Sequence, residues 1–363
     1  MNDELSLSGL SLDGRRIDLG RLRAGTVLGL MGSPEDTAEV IASVAALSDV
    51  APAPQLPTGI RAGRKRVRRW VKEYLRRADA GSGEAASAAA YSDFGVSPAL
   101  LDARLGELGP GDAARLRLAV AWATGAQWLT FVDPFASVPG HIRTGLRARL
   151  AERAAETGRG IVFSSTTLTD FTVAEAGVAD IEKGQLVAFG SLEQIIAEPR
   201  GALPAELSGV NIYSGLARKG WVSIGHSAVR ARTELDGKVF VTLGFRSALL
   251  SLDERDPAFT SATVFEAIVV GLRDRGSCIQ AKLSPVDTEM GLPLTVDLAD
   301  LAGVRDSAGR LHLEPADGRG FGVLHPGLGA SISELRTNVK VGTHVFVEVD
   351  TSGLQAYSVE QFD

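Results

Sequence analysis

The fold of this chain is decided by residues 108–199, which read LGPGDAARLRLAVAWATGAQWLTFVDPFASVPGHIRTGLRARLAERAAETGRGIVFSSTTLTDFTVAEAGVADIEKGQLVAFGSLEQIIAEP. Apolar residues at helical spacing alternate here with short runs of β-branched and aromatic residues. In chain order, they predict a helix over Ala113–Thr124, a strand over Trp128–Val132, a helix over Arg143–Glu156, a strand over Ile161–Ser164 and a hairpin over Val178–Phe189. Helices that alternate with strands are typical of a parallel α/β sheet with crossover connections.

The composition is that of a globular protein with a slightly acidic balance. The 363 residues are 45% hydrophobic and carry a formal net charge of −6, so we expect two domains and no overall attraction to nucleic acid. The one cysteine, Cys278, cannot form an internal disulfide, and the five histidines lack the spacing of metal ligands. No apolar run approaches the ~20 residues that span a bilayer. We therefore expect a cytosolic protein without a metal site.

The flanking sequence extends this pattern on both sides. Alternating residues over Leu5–Leu22 predict a hairpin that turns at Asp13-Gly14, and Gly25–Gly32 and Val40–Leu47 predict a buried strand and a helix. Beyond Pro204, short strands between Gly, Asp or Pro turns predict a small all-β barrel or a pair of barrels. These strands are Trp221–Ile224, Ala228–Thr233, Lys238–Leu243, Ala262–Val270, Ser277–Leu283, Leu294–Asp297, Leu311–Leu313 and Val345–Val349.

The order of these pieces resembles the nucleotide-binding subunit of ABC transporters, in particular the subfamily that powers bacterial carbohydrate importers. That family has LSGGQ, then Asp-Glu-Pro after a strand, then a strand ending in Thr-His-Asp; this chain has LGPGD at 108–112, VDPF at 132–135 and SST at 164–166. The words NIYSG at 211–215 and VGTHVFVEVD at 341–350 resemble the family's regulatory domain. The resemblance implies a P-loop NTPase-like ABC domain with a helical subdomain over 1–206, followed by an all-β OB-like (TOBE-type) domain over 207–363.

The residues that would handle ATP in that family are replaced. In a nucleotide hydrolase, a Gly-rich loop and its lysine hold the phosphates. The corresponding positions here include Gly32, Ser33, Asp36 and Thr37, and no Lys or Arg lies between Thr26 and Ile60. Added carboxylates would oppose phosphate by on the order of 4 kcal/mol per close pair at a surface-like dielectric. The alternative interpretation is that Asp36 or Thr37 caps the helix that follows.

Other positions also lack the residues that bind magnesium or phosphate in the resembled family. By resemblance, Val132 takes the place of the magnesium-orienting Asp, Asp133 that of the catalytic Glu, and Thr166 that of the γ-phosphate-sensing His. No catalytic residue is therefore expected, although Asp133 keeps a carboxylate. The signature turn retains Gly109 and Gly111 but ends in Asp112. Gln55 is the best match to the family's glutamine hinge, although Pro-rich loops with a Gln are common.

A strongly basic segment follows this loop. Residues 61–77, RAGRKRVRRWVKEYLRR, contain nine basic residues and one acid, and their apolar residues recur at helical spacing. They predict an amphipathic basic helix with Arg64, Arg68, Trp70 and Lys72 as candidate contacts to a permease or membrane surface. A solvated helix face and a nucleic-acid patch are the alternatives. Residues 78–90, rich in Ala, Gly and Ser, predict a flexible connector.

Together these features predict a catalytically degenerate nucleotide-binding subunit of an ABC importer for a carbohydrate or polyol-like solute. It would lie on the cytoplasmic side of the plasma membrane, with a competent ATP-binding subunit, two permease chains and a solute-binding protein. No cofactor is expected at its own site; ATP and magnesium would bind at the partner's site. No nucleic acid is expected as a partner. A regulatory or scaffold protein, and a weakly active ATPase, are the alternative functions.

Overall fold

The computed structural model describes residues 3–12, 14–78, 84–252, 254–255, 259, 263–275, 278–300, 304–305, 311–312 and 339–359. The chain forms two compact units, Met1–Leu207 and Ser208–Asp363. The first is mixed α/β and the second is all-β in its described part, which confirms the predicted fold classes. Within the described residues, every helix is too short or too polar to cross a bilayer.

Helices and strands alternate along the first unit. Its elements are β1 (Glu4–Leu12), β2 (Arg15–Arg23), β3 (Val27–Gly32), α1 (Pro34–Ala45), β4 (Val50–Ala51), α2 (Ile60–Gly63), α3 (Val67–Arg77), α4 (Glu84–Asp93), α5 (Pro98–Asp102), α6 (Pro110–Ala123), β5 (Trp128–Phe131), α7 (Gly140–Thr157), β6 (Gly160–Ser165), β7 (Val178–Glu182), β8 (Gln185–Gly190), α8 (Leu192–Ala197) and α9 (Ala202–Ser208). Short 3₁₀ helices cover Leu105–Glu107 and Leu168–Val173.

A six-stranded sheet forms the centre of this unit. Its strand order is β4-β5-β6-β3-β7-β8, and all neighbouring pairs are parallel except β7 with β8. Every residue of β3, β5 and β6 is buried. Strands covered on both faces need continuous apolar runs, which explains why they are recognisable in the sequence. The predicted hairpins are also confirmed, as β1–β2 and β7–β8; Asp13 at the first turn lies outside the described residues.

Two predictions about the helical part of this unit are wrong. The basic segment is not one helix, because residues 64–66 leave the helical path between α2 and α3. Leu105 N–H donates to the Lys65 carbonyl and Val67 N–H to the Ala103 carbonyl, which holds this backbone against residues 103–105. The predicted connector contains helix α4 from Glu84 onward, since its alanines favour helix and Ala90 packs into the core. Residues 79–83 lie outside the described part.

The second unit consists of antiparallel strands. They are β9 (Val210–Arg218), β10 (Trp221–Ile224), β11 (Arg230–Arg232), β12 (Gly237–Gly244), β13 (Ala248–Ser251), β14 (Val264–Asp274), β15 (Cys278–Pro285), β16 (Leu294–Asp300), β17 (Val304–Arg305), β18 (Leu311–His312), β19 (His344–Val349) and β20 (Gln355–Ser358). One sheet has the order β11-β10-β9-β12-β20 and another the order β13-β19-β14-β15-β16. Both contribute to one hydrophobic core.

Most predicted strands of the second unit are present. Strands β9, β13, β17 and β20 are not among the predictions. Strands β13, β17 and β20 are short, and the nine-residue β9 contains Asn211, Ser214 and Gly215, which interrupt an alternating pattern. Ala262, Ser277 and Leu313, each at one end of a predicted strand, lie outside the described residues. The described strands form two sheets around a shared core, and the OB-like type of this unit stays a prediction.

Candidate functional site

The candidate site lies at the carboxyl edge of the parallel sheet in the first unit. Strand β6 lies between β5 and β3, with Leu30 opposite Ser164 and Phe131 opposite Phe163. The residues that follow these three strands therefore emerge at one edge, where ligands of open α/β sheets bind. They are Ser33 after β3, Val132 and Asp133 after β5, and Thr166 after β6. The sequence positions singled out for nucleotide binding are thus neighbours in the fold.

The junction between β3 and α1 is too short to enclose a phosphate. Strand β3 ends at Gly32 and α1 begins at Pro34, so Ser33 alone connects them. Gly32 has a φ of +153°, and a Cβ added there would lie 2.3 Å from the carbonyl oxygen of Ile181. The backbone of Gly32 therefore packs directly against β7, in a position that a larger residue would not fit. No loop remains here whose N–H groups could surround a ligand.

Helix α1 satisfies its N-terminal donors with its own residues. Ser33 is the N-cap: its Oγ accepts from the Asp36 N–H at 3.1 Å, and its carbonyl accepts from the Thr37 N–H at 3.0 Å. The prediction that Asp36 or Thr37 caps the helix is therefore corrected to Ser33. Pro34 has no N–H, which leaves only that of Glu35 without a partner among the described residues of this turn. A helix start that binds anions through free N–H groups is not available here.

The side chains of Asp36 and Thr37 are committed to internal contacts as well. Asp36 Oδ2 accepts from the backbone N–H of Lys183, in the turn between β7 and β8, at 3.2 Å. The buried Thr37 hydroxyl donates to the Ser33 carbonyl at 2.9 Å. These bonds tie the start of α1 to the adjacent hairpin. Asp36 leaves a carboxylate facing this region, which disfavours a phosphate further.

Asp133 occupies a strained and poorly solvated position after β5. Its φ is +36°, its N–H donates to Ser164 Oγ at 3.1 Å, and its buried Oδ1 has no hydrogen-bond partner in the described part of the chain. Burial, and then the negative charge of Asp170, raise the pKa of the Asp133 carboxyl, whereas Arg143 and Arg117 oppose the shift. Its pKa is thus perturbed in the way that functional acids often are. In the described part of the chain, Asp133 belongs to no group of three or more His, Cys or acidic side chains that could hold a metal.

Arg117 on α6 fixes the backbone of the same turn. Its guanidinium donates to the carbonyl oxygens of Val132, Asp133 and Pro134 at 3.4, 3.1 and 2.6 Å. Burial lowers the pKa of Arg117. A buried cation that bonds to three successive carbonyls holds this turn in place without help from a ligand. Val132 contributes only its carbonyl, so the structure offers no carboxylate where the family has its magnesium-orienting residue.

A buried ionic network lies beside Thr166. Asp170 is 0% exposed, and it accepts from both Arg143, at 2.8 and 2.5 Å, and Arg147, at 3.2 Å. The Ser165 hydroxyl completes the network by donating to Asp170 at 2.7 Å. Thr166 itself is exposed and stands outside it. Arg143 and Arg147, two of the cations at this edge of the sheet, are therefore already paired with an internal carboxylate.

The signature-like turn forms the start of α6. Gly109 is its N-cap, without a side-chain hydrogen bond, and Pro110 occupies the first helical position. Gly111 is buried, and a Cβ there would lie 3.1 Å from Ile142 Cδ1, so this glycine serves close packing against α7. Asp112 Oδ1 lies 3.7 Å from Arg115 Nη1. An acid and a proline at this helix start leave little attraction for a phosphate.

Gln55 lines a cleft between the 52–57 loop and α3. The cleft has a volume of about 320 Å³, and Tyr74 closes its base by donating from its hydroxyl to the Pro52 carbonyl at 2.5 Å. Lys65, Glu73 and Arg77 stand at its polar side. Gln55 is exposed, so its amide is available to a partner that enters the cleft.

The basic segment is only partly free to bind a partner. Glu73 pairs with Lys65 and Arg69, and Arg68 pairs with Asp102 at 2.6 Å. Trp70 is 6% exposed and packs on Tyr74, so its predicted role as a surface contact is corrected to that of a core residue on the cleft wall. Among the described residues, six cations of this segment form no ion pair: Arg61, Arg64, Arg66, Lys72, Arg76 and Arg77. Arg66 instead donates to the Asp102 carbonyl at 3.1 Å.

Sequence reasoning missed the buried ionic groups. Arg143 and Arg147 are four residues apart, which places them on one face of α7, and that spacing is the signal that could have found them. Nothing in the sequence indicates that Asp170 is their partner, because it reaches them only through the turn after β6. The described part of the chain contains no cluster of three or more His, Cys or acidic residues arranged to hold a metal.

Comparison with known proteins gives likenesses of structure alone. No family model matches the chain, and no curated protein matches its sequence. An ATP-binding cassette dimer with ADP and inorganic phosphate is 13% identical, with a TM-score of 0.41 over 49% of this chain and 90% of that one. A bacterial Atm1-family ABC exporter with ATP bound is 16% identical, with a TM-score of 0.43 over 56% of this chain and 41% of that one. A metal-chelate type ABC transporter in an inward-facing conformation is 12% identical, with a TM-score of 0.46 over 61% of this chain and 94% of that one.

Fold and site together define a class: a mixed α/β unit with its candidate site at the carboxyl edge of a parallel sheet, followed by an all-β unit. In this chain, the polar groups at that edge bond to one another: Ser33 caps α1, Arg117 donates to the turn after β5, and Asp170 pairs with two arginines.

Proposed function

We propose that this chain is a nucleotide-binding-type subunit of an ABC importer that has lost its own ATP site and serves as a scaffold and transmitter. The single observation that carries the proposal is the junction β3–Ser33–α1, which is closed by its own hydrogen bonds at the position where the resembled family binds phosphate. The sequence order of LGPGD, VDPF and SST supports the assignment to that family. A carbohydrate or polyol-like solute is the cargo that the resemblance favours.

The energetics of the site argue against ATP binding by this chain alone. Triphosphate binding needs N–H donors and a cation, and this junction offers a proline, a cap that uses the donors, and the carboxylates of Glu35 and Asp36. Three arginines lie at this edge: Arg143 and Arg147 pair with Asp170, and Arg117 donates to the carbonyl oxygens of the turn after β5. A nucleotide would have to displace these internal partners before it could bind the three guanidinium groups. The residues therefore support a site that does not bind ATP, rather than one that binds ATP through different contacts.

A silent subunit needs a competent partner. We infer pairing with a second ATP-binding subunit that supplies an intact site with ATP and magnesium, and with two permease chains and a solute-binding protein. The cleft beside Gln55 and the unpaired cations Arg64 and Lys72 support a contact with permease loops or anionic headgroups. This arrangement would place the chain at the cytoplasmic face of the plasma membrane.

Thermal unfolding tests the silent site. A ligand present at 100 times its Kd stabilises a native protein by about 2.7 kcal/mol, so even moderate ATP binding would raise the Tm. We expect the Tm to be the same in 5 mM ATP with magnesium as in magnesium sulfate of equal ionic strength. A higher Tm in ATP with magnesium than in magnesium sulfate would overturn the proposal that this chain does not bind ATP. It would favour a weakly active ATPase.

Co-purification tests the assembly. The chain would be expressed with the ATP-binding subunit and permeases encoded beside it, and the complex captured through a permease tag. We expect Arg64→Glu with Lys72→Glu to reduce the amount captured, because the reversed charges oppose the contact. Arg15→Glu with Arg16→Glu, at the exposed tip of the β1–β2 hairpin, makes the same charge change elsewhere and should have no effect. Failure of the unaltered chain to associate would favour the scaffold interpretation outside transport.

A further inference from the structure

The outer face of the first sheet in the second unit carries an ordered set of cations around an exposed indole. Trp221 on β10 lies directly opposite Arg232 on β11 and Arg218 on β9, so the three side chains form one row across the sheet. The next row contains Arg230, Ser223, Leu216 and Lys238, from β11, β10, β9 and β12. The inward residues between them, Val222, Ala217, Ala231 and Val239, are buried in the core.

The cations of this face form no ion pair with a described residue. Arg218, Arg230, Arg232 and Lys238 are exposed, and none forms an ion pair with a described residue. Strands β9, β10, β11 and β12 contain no acidic residue at all. The acids closest in sequence, Glu234 and Asp236, lie in the loop between β11 and β12. With these two acids counted, an excess of positive charge remains on the face, and its mutual repulsion is a cost that an anionic ligand would remove.

An apolar and aromatic strip runs through the middle of these charges. Trp221 is 48% exposed and Leu216 is 42% exposed, so both side chains are accessible to a partner on this face. The guanidinium of Arg232 lies over the indole, 5.4 Å from the ring centroid. Indole and guanidinium together form a planar, cationic surface of the kind on which flat aromatic groups stack.

The dimensions of the face suit an extended polyanion. Neighbouring strands lie ~4.8 Å apart and residues on one face of a strand repeat every ~6.8 Å, so the four cations frame a patch roughly 14 Å by 7 Å. That patch covers a few units of an extended chain. A flat sheet with aromatic and basic side chains is the platform that single-stranded nucleic acids use, with bases stacked on rings and phosphates held by cations.

We propose that the outer face of β11-β10-β9-β12 binds single-stranded nucleic acid, with a base stacked at Trp221 and phosphates held by Arg218, Arg230, Arg232 and Lys238. The proposal does not depend on the transport function. It differs from the expectation of no nucleic-acid partner, which follows from the net charge of the whole chain. Exposed charges more than about 10 Å apart are largely screened at 0.1 M salt, so the local patch decides the contact.

Other anionic partners fit the face less well. A lipid surface would satisfy the cations, but the exposed apolar side chains among them are only Trp221 and Leu216, a small area for insertion among acyl chains. An acidic peptide would satisfy the cations too, but its carboxylates offer no planar ring to the indole. The combination of a ring surface and regularly spaced cations favours an oligonucleotide.

Fluorescence anisotropy of fluorescein-labelled oligo-dT, twelve nucleotides long, tests the proposal with the full chain. We expect a Kd in the range of about 10⁻⁶ to 10⁻⁴ M at physiological salt, and a lower Kd as the salt concentration falls. Four phosphate contacts predict a slope of log K against log salt near about −3, since each contact contributes about −0.7 on a single strand. Arg230→Gln with Arg232→Gln should reduce that slope by about half. No measurable binding by the unaltered chain would overturn the proposal.

Trp221→Ala separates stacking from charge. It should weaken binding about tenfold and leave the salt slope unchanged, whereas Trp221→Phe should restore most of the affinity. Phe189→Ala is the matched control, because Phe189 is an exposed aromatic residue on β8 of the first unit. Since Trp70, Trp122 and Trp128 are buried, oligo-dT should also quench chiefly the exposed Trp221. Equal affinity of Trp221→Ala and the unaltered chain would contradict a stacked base.

The basic segment of the first unit provides the second control. Arg64→Gln with Lys72→Gln removes two unpaired cations from a different surface, so the salt slope should not change. If that variant loses binding and the Arg230/Arg232 variant keeps it, the assigned face is wrong. Vesicles of three parts phosphatidylglycerol to seven parts phosphatidylcholine test the lipid alternative. Arg232-dependent binding to these vesicles without binding to oligo-dT would also overturn the proposal.

Discussion

Arg143 on α7 donates to both carboxylate oxygens of Asp170, through Nε at 2.8 Å and Nη2 at 2.5 Å. Asp170 lies five residues after Ser165, the last residue of β6, so the pair joins the helix to the turn at the carboxyl edge of the sheet. Arg147 and Ser165 bond to the same carboxylate. A protein that relied on a bound anion here would need free cations. In this chain, the anion is a side chain, and the edge is ordered without a ligand.

Removal of the Asp170 charge should destabilise the first unit strongly. Asp170→Asn leaves Arg143 and Arg147 without their buried counter-charge, and breaking a buried pair in this way costs about 3–5 kcal/mol. Urea unfolding followed by circular dichroism would measure the change. Asp102→Asn is the control, because its pair with Arg68 is exposed and should contribute much less. Similar losses from both substitutions would contradict a special role for the buried network.

Asp180 on β7 should make the stability of the first unit depend on pH. It is 1% exposed, and burial, followed by the charge of Glu182, raises its pKa to about 7 from 3.8. The folded protein therefore keeps a proton that the unfolded chain releases. That contribution to stability is fully present below about pH 4 and is lost as the pH rises to about 7, at about 1.4 kcal/mol per unit.

The variant Asp180→Asn should remove this pH dependence. It should gain stability relative to the unaltered chain as the pH rises from 5 to 7, because its amide never ionises. Thermal unfolding at several pH values would record the difference, with Glu193→Gln on the surface of α8 as the control. Parallel Tm curves for Asp180→Asn and the unaltered chain would rule out a raised pKa at this position.

The N-cap of α1 can be tested by a pair of substitutions at Ser33. Ser33→Ala removes the acceptor for the Asp36 N–H and should cost about 1 kcal/mol, within a usual range of 0.5–2. Ser33→Asn keeps an acceptor and should cost less. Both would be compared by chemical denaturation. An equal loss would mean that the Ser33 side chain does not cap the helix.

Gly32 should tolerate no side chain. A Cβ at this position would approach the Ile181 carbonyl to 2.3 Å, and the φ of +153° is one that other residues rarely adopt. We expect Gly32→Ala to lower the Tm sharply, because β3 and β7 would have to separate. Gly145→Ala on α7 is the control, since open space surrounds that position and alanine favours helix. A Tm of Gly32→Ala equal to that of the control would contradict the close approach.

The sequence by itself determined the order of most elements and the residue types at the candidate site. The strands at Trp128–Phe131 and Ile161–Ser164 are buried on both faces, so most of their residues are apolar. That pattern is visible without a structure. The missing lysine after Gly32 is likewise visible, because it is a property of local residue types. The break in the basic segment is not visible in the sequence, because the backbones of Lys65 and Val67 bond to residues about forty positions away.

Only the tertiary structure decided which internal contacts order the candidate site and where the cations without an ion-pair partner lie. Asp170 meets Arg143 across 27 residues, and Asp36 meets the Lys183 backbone across 147, so no local pattern encodes either contact. The cationic face of the second unit depends on the register that places Trp221 between Arg218 and Arg232. Strand register is set by burial of the opposite face against a shared core, which is a property of the whole unit and of no single stretch.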